Sequence, residues 1–331
     1  FSFLYYVLLK DSPMKMTVPR NLRAGIRAAI AIASVPAVFI PLTLIQGFVV
    51  GPVLKNHTVI PGLLYNGLRR LLGYKIEFNT ASAPLIKDKP TWYVANHMSI
   101  ADFVVLGSKL DGTFAGKGDV LKWPGIAQMA RAVRYIGLRR SSEFNAESRA
   151  KIAKNFNDGA NTIMFPEGTT SDGRQVHLFR AALPSLLFGE KAIDKDKGEI
   201  MLLQNVKVQP IAIRVVAVDG DSEQNDPNLR ARYAMYDENK TLRRLWKRLQ
   251  IRETRIELTV FDPLDPKKFT DAKDMMNTAA LNLASVVNPG QTTFAKASIP
   301  GPKKKSLKSV VPAVMVHAKR LWMNHDIRGW K

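Results

Sequence analysis

The 331-residue chain has no cysteine. That absence excludes disulfides, thiolate nucleophiles and Cys-ligated zinc together, and it fits a chain facing the cytosol. Histidine is scarce, with five residues, and none stands at ligand spacing from His97, so no metal site is expected. Acids are outnumbered: 28 Asp and Glu face 49 Lys and Arg, a formal net charge of +21. Such an excess calls for an anionic partner, either nucleic acid or a membrane surface. Helix-turn-helix, zinc-finger and basic-aromatic strand signatures are all missing, which removes nucleic acid as the expected partner. The G-x-S-x-G elbow of lipase-like hydrolases is missing too. Gly116-Lys-Gly118 lacks the later glycine of a dinucleotide fingerprint. No internal repeat is evident.

What remains is a membrane reading, and one stretch carries it. No charged residue occurs from Ala28 to Leu54, a run longer than the about 20 residues that a spanning helix needs. Pro36, Pro41, Gly47, Gly51 and Pro52 interrupt it and are expected to bend or break a helix. Basic residues flank both sides: Lys15, Arg20, Arg23 and Arg27 before, Lys55, Arg69, Arg70 and Lys75 after. That symmetry selects no orientation. It suits a kinked hairpin that enters one leaflet and returns; a single tilted span and a buried core helix are the alternatives. A cleaved signal peptide is not expected, because the run is too long and lacks a small-residue cleavage site. The first residue is Phe, Met14 and Met16 offer an alternative start, and residues 1–13 receive no role.

Beyond this run the pattern is α/β. Residues 62–73 have helical spacing, and Tyr74–Phe78 alternates as a strand with Lys75 and Glu77 toward water. Gly112–Gly118 reads as a turn segment with Lys117 solvated, and a helix is expected to start at Trp123. Further helices are expected over Glu147–Asn157, Val176–Leu187, Leu242–Leu249 and Asp271–Val287, and strands from Thr162, over Val206–Val218 and over Thr254–Phe261. The Leu242–Leu249 helix combines Trp246 with Arg243, Arg244, Lys247 and Arg248 and suits a membrane interface. Residues 219–228 are an acidic surface loop. The domain expectation is an anchor over 1–60, a catalytic domain over 61–290 and a basic membrane-surface tail over 291–331.

Two stretches concentrate reactive residues. Trp92–Ala95 is an apolar strand that runs into Asn96-His97-Met-Ser-Ile-Ala-Asp102, with Ser99 expected to cap a helix containing Ile100, Phe103, Val104, Val105 and Leu106. If His97 sits in the turn and Asp102 one turn into the helix, the carboxylate folds back under the imidazole. It then fixes the tautomer and leaves the other ring nitrogen as a base. Thr162-Ile-Met-Phe-Pro-Glu167-Gly168-Thr169-Thr170 is a second strand ending in a polar turn. Two such loops imply one site at the carboxyl edge of an α/β sheet. Around Tyr135–Arg140 the residues Arg131, Arg134, Arg139 and Arg140 form a basic cluster.

Asn96-His97-x4-Asp102 followed by Phe165-Pro-Glu-Gly-Thr169 resembles the glycerolipid acyltransferases, whose best-known members are the 1-acylglycerol-3-phosphate acyltransferases. Tyr135–Arg140 and Val208–Ile213, with Pro210, are similar to that family's second and fourth blocks. The resemblance covers about residues 92–215. It implies a mixed α/β sheet flanked by helices, with a catalytic loop at the strand edge and an N-terminal membrane-embedded helical segment. It implies acyl transfer from a thioester, acyl-CoA or acyl carrier protein, to the hydroxyl of a lysophospholipid at the inner (cytoplasmic) membrane, with the catalytic domain facing the cytosol. No resident cofactor is implied. His97 is then the general base and Asp102 its orienting carboxylate. Asn96, Arg140 (with Arg139 the alternative alignment), Glu167, Gly168 and Thr169 are the substrate-binding residues. Backbone amides of Asn96–Ser99 or Gly168 are the expected oxyanion donors. The acceptor expected first is 1-acylglycerol-3-phosphate. Thr170 stands where many phosphatidate-forming members have Arg, which leaves room for another lysolipid such as lyso-ornithine lipid, and Arg174 and Arg180 are near enough in sequence to compensate.

Overall fold

The computed structural model describes residues 18–50, 53, 59–86, 90–118, 130, 135–138, 142–189, 192–194, 199–201, 203, 205–223, 226, 228–234 and 241–296. The expected helix at Trp123, the basic cluster Arg131, Arg134, Arg139 and Arg140, and the basic tail beyond 296 lie outside the described residues.

The long apolar run is helical throughout its described part, α1 (Arg20–Val50). Pro36 and Pro41 do not break it. The helix instead widens into i→i+5 turns, over Val35–Phe39 around Pro36 and again over Gln46–Val50. Only 6% of its most apolar window is buried, and Ile32, Ile40, Leu44 and Phe48 are exposed. The chain returns through α2 (Val59–Leu71), whose Ile60 and Leu64 pack with Phe39 of α1. The expected hairpin within 28–54 is not seen in the described part of that run, which forms one helix of 31 residues.

Strands β1 (Tyr74–Phe78), β2 (Thr91–Ala95), β3 (Thr113–Lys117), β4 (Ile136–Leu138), β5 (Thr162–Met164), β8 (Lys207–Val218) and β10 (Thr254–Val260) form the main sheet, in the order β1-β10-β8-β2-β5-β3-β4. From β8 to β4 every neighbouring pair is parallel; β10 runs antiparallel to β8. A separate pair joins β6 (Ala192–Asp194) to β7 (Glu199–Met201), and β9 (Asp221–Ser222) folds back on β8. The residues expected to form a turn before Gly118 are thus strand β3.

Alternation along β2 divides the core. Tyr93 and Ala95 point into the layer that holds α3 (Asp102–Gly107) and α5 (Leu229–Tyr233). Trp92 and Val94 point into the layer of α4 (Ser142–Asn157) and α7 (Ala272–Val287). Gly107 lets α3 approach α2: an added Cβ would stand 2.4 Å from the Tyr65 ring. Val176–Leu187 is not the expected helix. Its backbone pairs elsewhere, Leu178 N with Ala295 O and Arg180 N with Pro166 O, and only a 3-10 turn forms over Pro184–Phe188. Residues 291–296 accordingly run beside 176–178, and Phe294 packs on the core.

Helix α6 (Thr241–Gln250) joins this body to α1. Arg23 donates to Gln250 O at 2.9 Å; Arg27 donates to the carbonyls of Leu249 (3.3 Å), Ile251 and Arg252 (3.1 Å). Cations on the orphan carbonyls of a helix C-terminus satisfy both the hydrogen-bonding and the dipole requirement. Arg27 is buried, so its loss strands several acceptors. Arg27→Ala is expected to lower stability by about 2–3 kcal/mol in a denaturant titration of detergent-solubilised protein.

Candidate active site

Sheet register builds the site. Val94 of β2 pairs with Met164 of parallel β5, so residues three further along each strand emerge side by side at the carboxyl edge. Those residues are His97 and Glu167, and Glu167 Oε1 accepts from His97 N at 3.2 Å. Ser171 N closes the other side on His97 O at 2.9 Å.

Asp102 opens α3 and folds back under the turn. Its Oδ2 accepts from Met98 N at 2.7 Å and Ser99 N at 2.8 Å, and lies 2.9 Å from His97 Nδ1. Its Oδ1 accepts from the Tyr233 hydroxyl at 2.7 Å. Every other partner donates to this fully buried carboxylate, so the pairing places the Nδ1 proton toward Asp102 and leaves Nε2 unprotonated in the neutral ring. The imidazole stacks on Phe165, with ring centroids 4.0 Å apart and planes 10° from parallel, and meets the Phe103 edge at 5.8 Å. Twelve per cent of the His97 side chain is exposed, enough for a ligand to reach the ring.

Several expectations change. Ser99 does not cap α3; its Oγ accepts from Ala101 N within the turn, and the Asp102 carboxylate satisfies the Met98 and Ser99 amides instead. Asn96 was expected to contact substrate. Its side chain is buried and grips β8, accepting from Ile213 N at 2.8 Å and donating to Ile213 O at 3.0 Å. The expected oxyanion amides are engaged as well: His97 N with Glu167, Met98 N and Ser99 N with Asp102, Gly168 N with Phe165 O. Arg140 lies outside the described residues. Thr169 and Thr170 are half-buried in the Glu167 turn.

Gly168 has φ +72°, and a Cβ there would stand 2.8 Å from Arg180 Nε. The glycine therefore permits both the left-handed turn and the close approach of Arg180. Of the two arginines flagged as substitutes for the missing family arginine, Arg180 lies over this turn. Arg174 bonds instead to Asn228 Oδ1 at 2.6 Å. Sequence reasoning missed Tyr233, which has no local motif to mark it. Among the described residues no three His, Cys, Asp or Glu side chains gather as a metal site would require.

Residues 77–214 match the family model described as Acyltransferase. This segment is similar to acyltransferase domains. Its match reaches from β1 through β8 and contains His97, Asp102, Glu167 and Gly168, whereas Tyr233 lies beyond it. Among curated proteins, a lyso-ornithine lipid O-acyltransferase of Rhodobacter capsulatus is 28% identical over 55% of this chain and 60% of its own length. Another from Brucella abortus is 31% identical over 49% of this chain and 57% of its own. A 1-acyl-sn-glycerol-3-phosphate acyltransferase of Neisseria gonorrhoeae is 30% identical over 27% of this chain and 35% of its own. The chain thus spans about half the length of the curated lyso-ornithine lipid acyltransferases it matches. The crystal structure of the 1-acyl-sn-glycerophosphate acyltransferase PlsC from Thermotoga maritima shares the fold, with a TM-score of 0.53 and 19% identity over 83% of this chain and 97% of that one.

Burial pushes the Glu167 carboxyl well above the usual carboxylate range; the His97 amide opposes this and the nearby Asp102 charge adds to it. A carboxyl whose folded-state pKa is raised stabilises the fold below its unfolded value and loses that contribution as pH rises toward the folded one. Glu167→Gln removes the titration. The variant's melting temperature relative to wild type is expected to climb from about pH 4.5 upward. A difference that stays flat from pH 4.5 to 8 would show that Glu167 does not titrate with folding.

Proposed function

We propose that the chain is a membrane-associated O-acyltransferase that moves a fatty acyl group from a thioester, acyl-CoA or acyl carrier protein, to the hydroxyl of a lysolipid. The observation that carries this reading is the 2.9 Å contact of His97 Nδ1 with a buried Asp102, beside the Glu167–Gly168 turn. His97 Nε2 takes the proton from the acceptor hydroxyl as its oxygen attacks the thioester carbonyl. The tetrahedral intermediate collapses with loss of the thiolate, which recovers the proton from the imidazolium. Asp102 orients the ring and stabilises its charged form. No covalent acyl-enzyme is needed.

Lyso-ornithine lipid is the acceptor this reading favours. Thr170 replaces the cation expected for a phosphate acceptor, and the lyso-ornithine lipid acyltransferases match longer stretches of the chain. The ornithine headgroup carries a carboxylate, a suitable partner for a guanidinium fork. Arg180 over the Gly168 turn fits that role, and it also supports the second reading, 1-acylglycerol-3-phosphate. Membrane association at the cytoplasmic face rests on exposed apolar α1, on exposed Leu245 and Trp246 of α6, and on the net charge of +21.

Purified protein in detergent, offered both donor types, is expected to acylate lyso-ornithine lipid in preference to lysophosphatidate. His97→Ala should lower the rate by about 10²–10⁴-fold. Transfer by that variant at the wild-type rate would sink the mechanism, and turnover of lysophosphatidate alone would establish the second acceptor. Arg180→Ala is expected to raise the KM for the acceptor roughly tenfold while leaving the KM for the donor unchanged.

A further inference from the structure

We propose that Tyr233 is a positioning residue for the His97–Asp102 pair, held in place by Arg248. The inference rests on the reading of that pair as catalytic. Tyr233 stands on α5, 131 residues after Asp102 and outside the segment that matches the acyltransferase family. It is 1% exposed, and its hydroxyl gives the only side-chain donor to Asp102 Oδ1 among the described contacts. Oδ2 is held by two turn amides and faces His97 Nδ1, so without Tyr233 the carboxylate is anchored at one oxygen alone and the tilt of its plane is less tightly set. The direction of the bond to His97 Nδ1 depends on that tilt.

Arg248 supplies the brace. Its guanidinium lies 4.1 Å from the centroid of the Tyr233 ring and 4.9 Å from that of Tyr74, and its Nε donates to the Tyr74 hydroxyl at 2.7 Å. The side chain is 3% exposed, and its Nη1 and Nη2 have no hydrogen-bond partner among the described residues. A buried cation with two unsatisfied nitrogens is a poor device for stability alone, since an apolar side chain of similar volume packs without that penalty. Placed here, it fixes two aromatic rings, one of which carries the hydroxyl that reaches Asp102. Burial first, and the Asp102 charge second, push the Tyr233 hydroxyl well above the usual phenol range, which keeps it protonated as a donor. Arg248 belongs to α6, whose C-terminal carbonyls Arg27 of α1 caps. The geometry of the pair therefore draws on α6 and, through Arg27, on the N-terminal helix α1.

The test is a double-mutant cycle on the full chain, measuring kcat and KM for the lysolipid that the wild type turns over. Tyr233→Phe is expected to lower kcat roughly tenfold, the loss of one hydrogen bond to a charged group, with KM within about twofold. On an Asp102→Asn background the same change is expected to add no further loss, because the hydroxyl acts only through the carboxylate. Tyr93→Phe removes another buried hydroxyl, one that donates to Ile86 O at 3.4 Å, and is expected to leave kcat unchanged. Wild-type kcat in Tyr233→Phe, or an equal loss on both backgrounds, overturns the inference. Undiminished activity in Asp102→Asn would instead overturn the reading of the pair. Should Tyr233→Phe not fold, Arg248→Met enters the same cycle: it keeps the hydroxyl, removes its brace, and is judged by the same non-additivity.

Discussion

The structure turns on one buried carboxylate. Asp102 is fully inaccessible and sits among four donors: two turn amides, an imidazole and a phenol. Desolvating a carboxylate is expensive unless its oxygens find donors, and here both do. That requirement dictates the local fold. The chain must turn sharply after β2 so that Met98 N and Ser99 N converge on one oxygen, and α3 must begin at Asp102 itself. The His97 ring then has one orientation available, stacked on Phe165 with Nδ1 toward the carboxylate.

Parallel register brings the second half of the site to the first. Because Val94 and Met164 are paired, Glu167 arrives beside His97 without any long-range adjustment. The same closeness has a consequence for chemistry. The amides of His97, Met98, Ser99 and Gly168 all close loops, so they hold the site rigid and do not point at a developing oxyanion. In the proposed reaction, charge stabilisation falls to side chains at the sheet edge, which is consistent with an arginine lying over the Gly168 turn.

How much of this was legible in the sequence follows from the range of each interaction. The His97–Asp102 contact spans five residues, and turn-plus-helix geometry was enough to expect it. Strands with clean alternation, Tyr74–Phe78 and Thr254–Val260, were readable because one period decides them. Val176–Leu187 misled because its apolar spacing is helical while its amides pair with Pro166 and the 295 segment, partners that no local window contains. Asn96 looked like a site residue by position, and only the crossing of β8 shows that both its polar atoms are occupied. Tyr233 carried no signal at all, since its partner is 131 residues away.

The basic excess shows the same limit from another side. A charge of +21 suggests a uniformly positive surface, but Arg27 and Arg248 are buried, one capping a helix and the other lying between two tyrosines. Each answers a structural demand that would exist with no membrane present. The membrane argument therefore does not gain from counting them. It stands on apolar side chains that water should have driven inward: Ile32, Ile40, Leu44 and Phe48 on α1, and Leu245 and Trp246 on the helix docked against it. Exposed residues of this size along a 31-residue apolar helix make it a candidate membrane span. The capping arginines then acquire a second consequence, because they tie that candidate span to the helix whose Arg248 braces Tyr233 in the proposed arrangement.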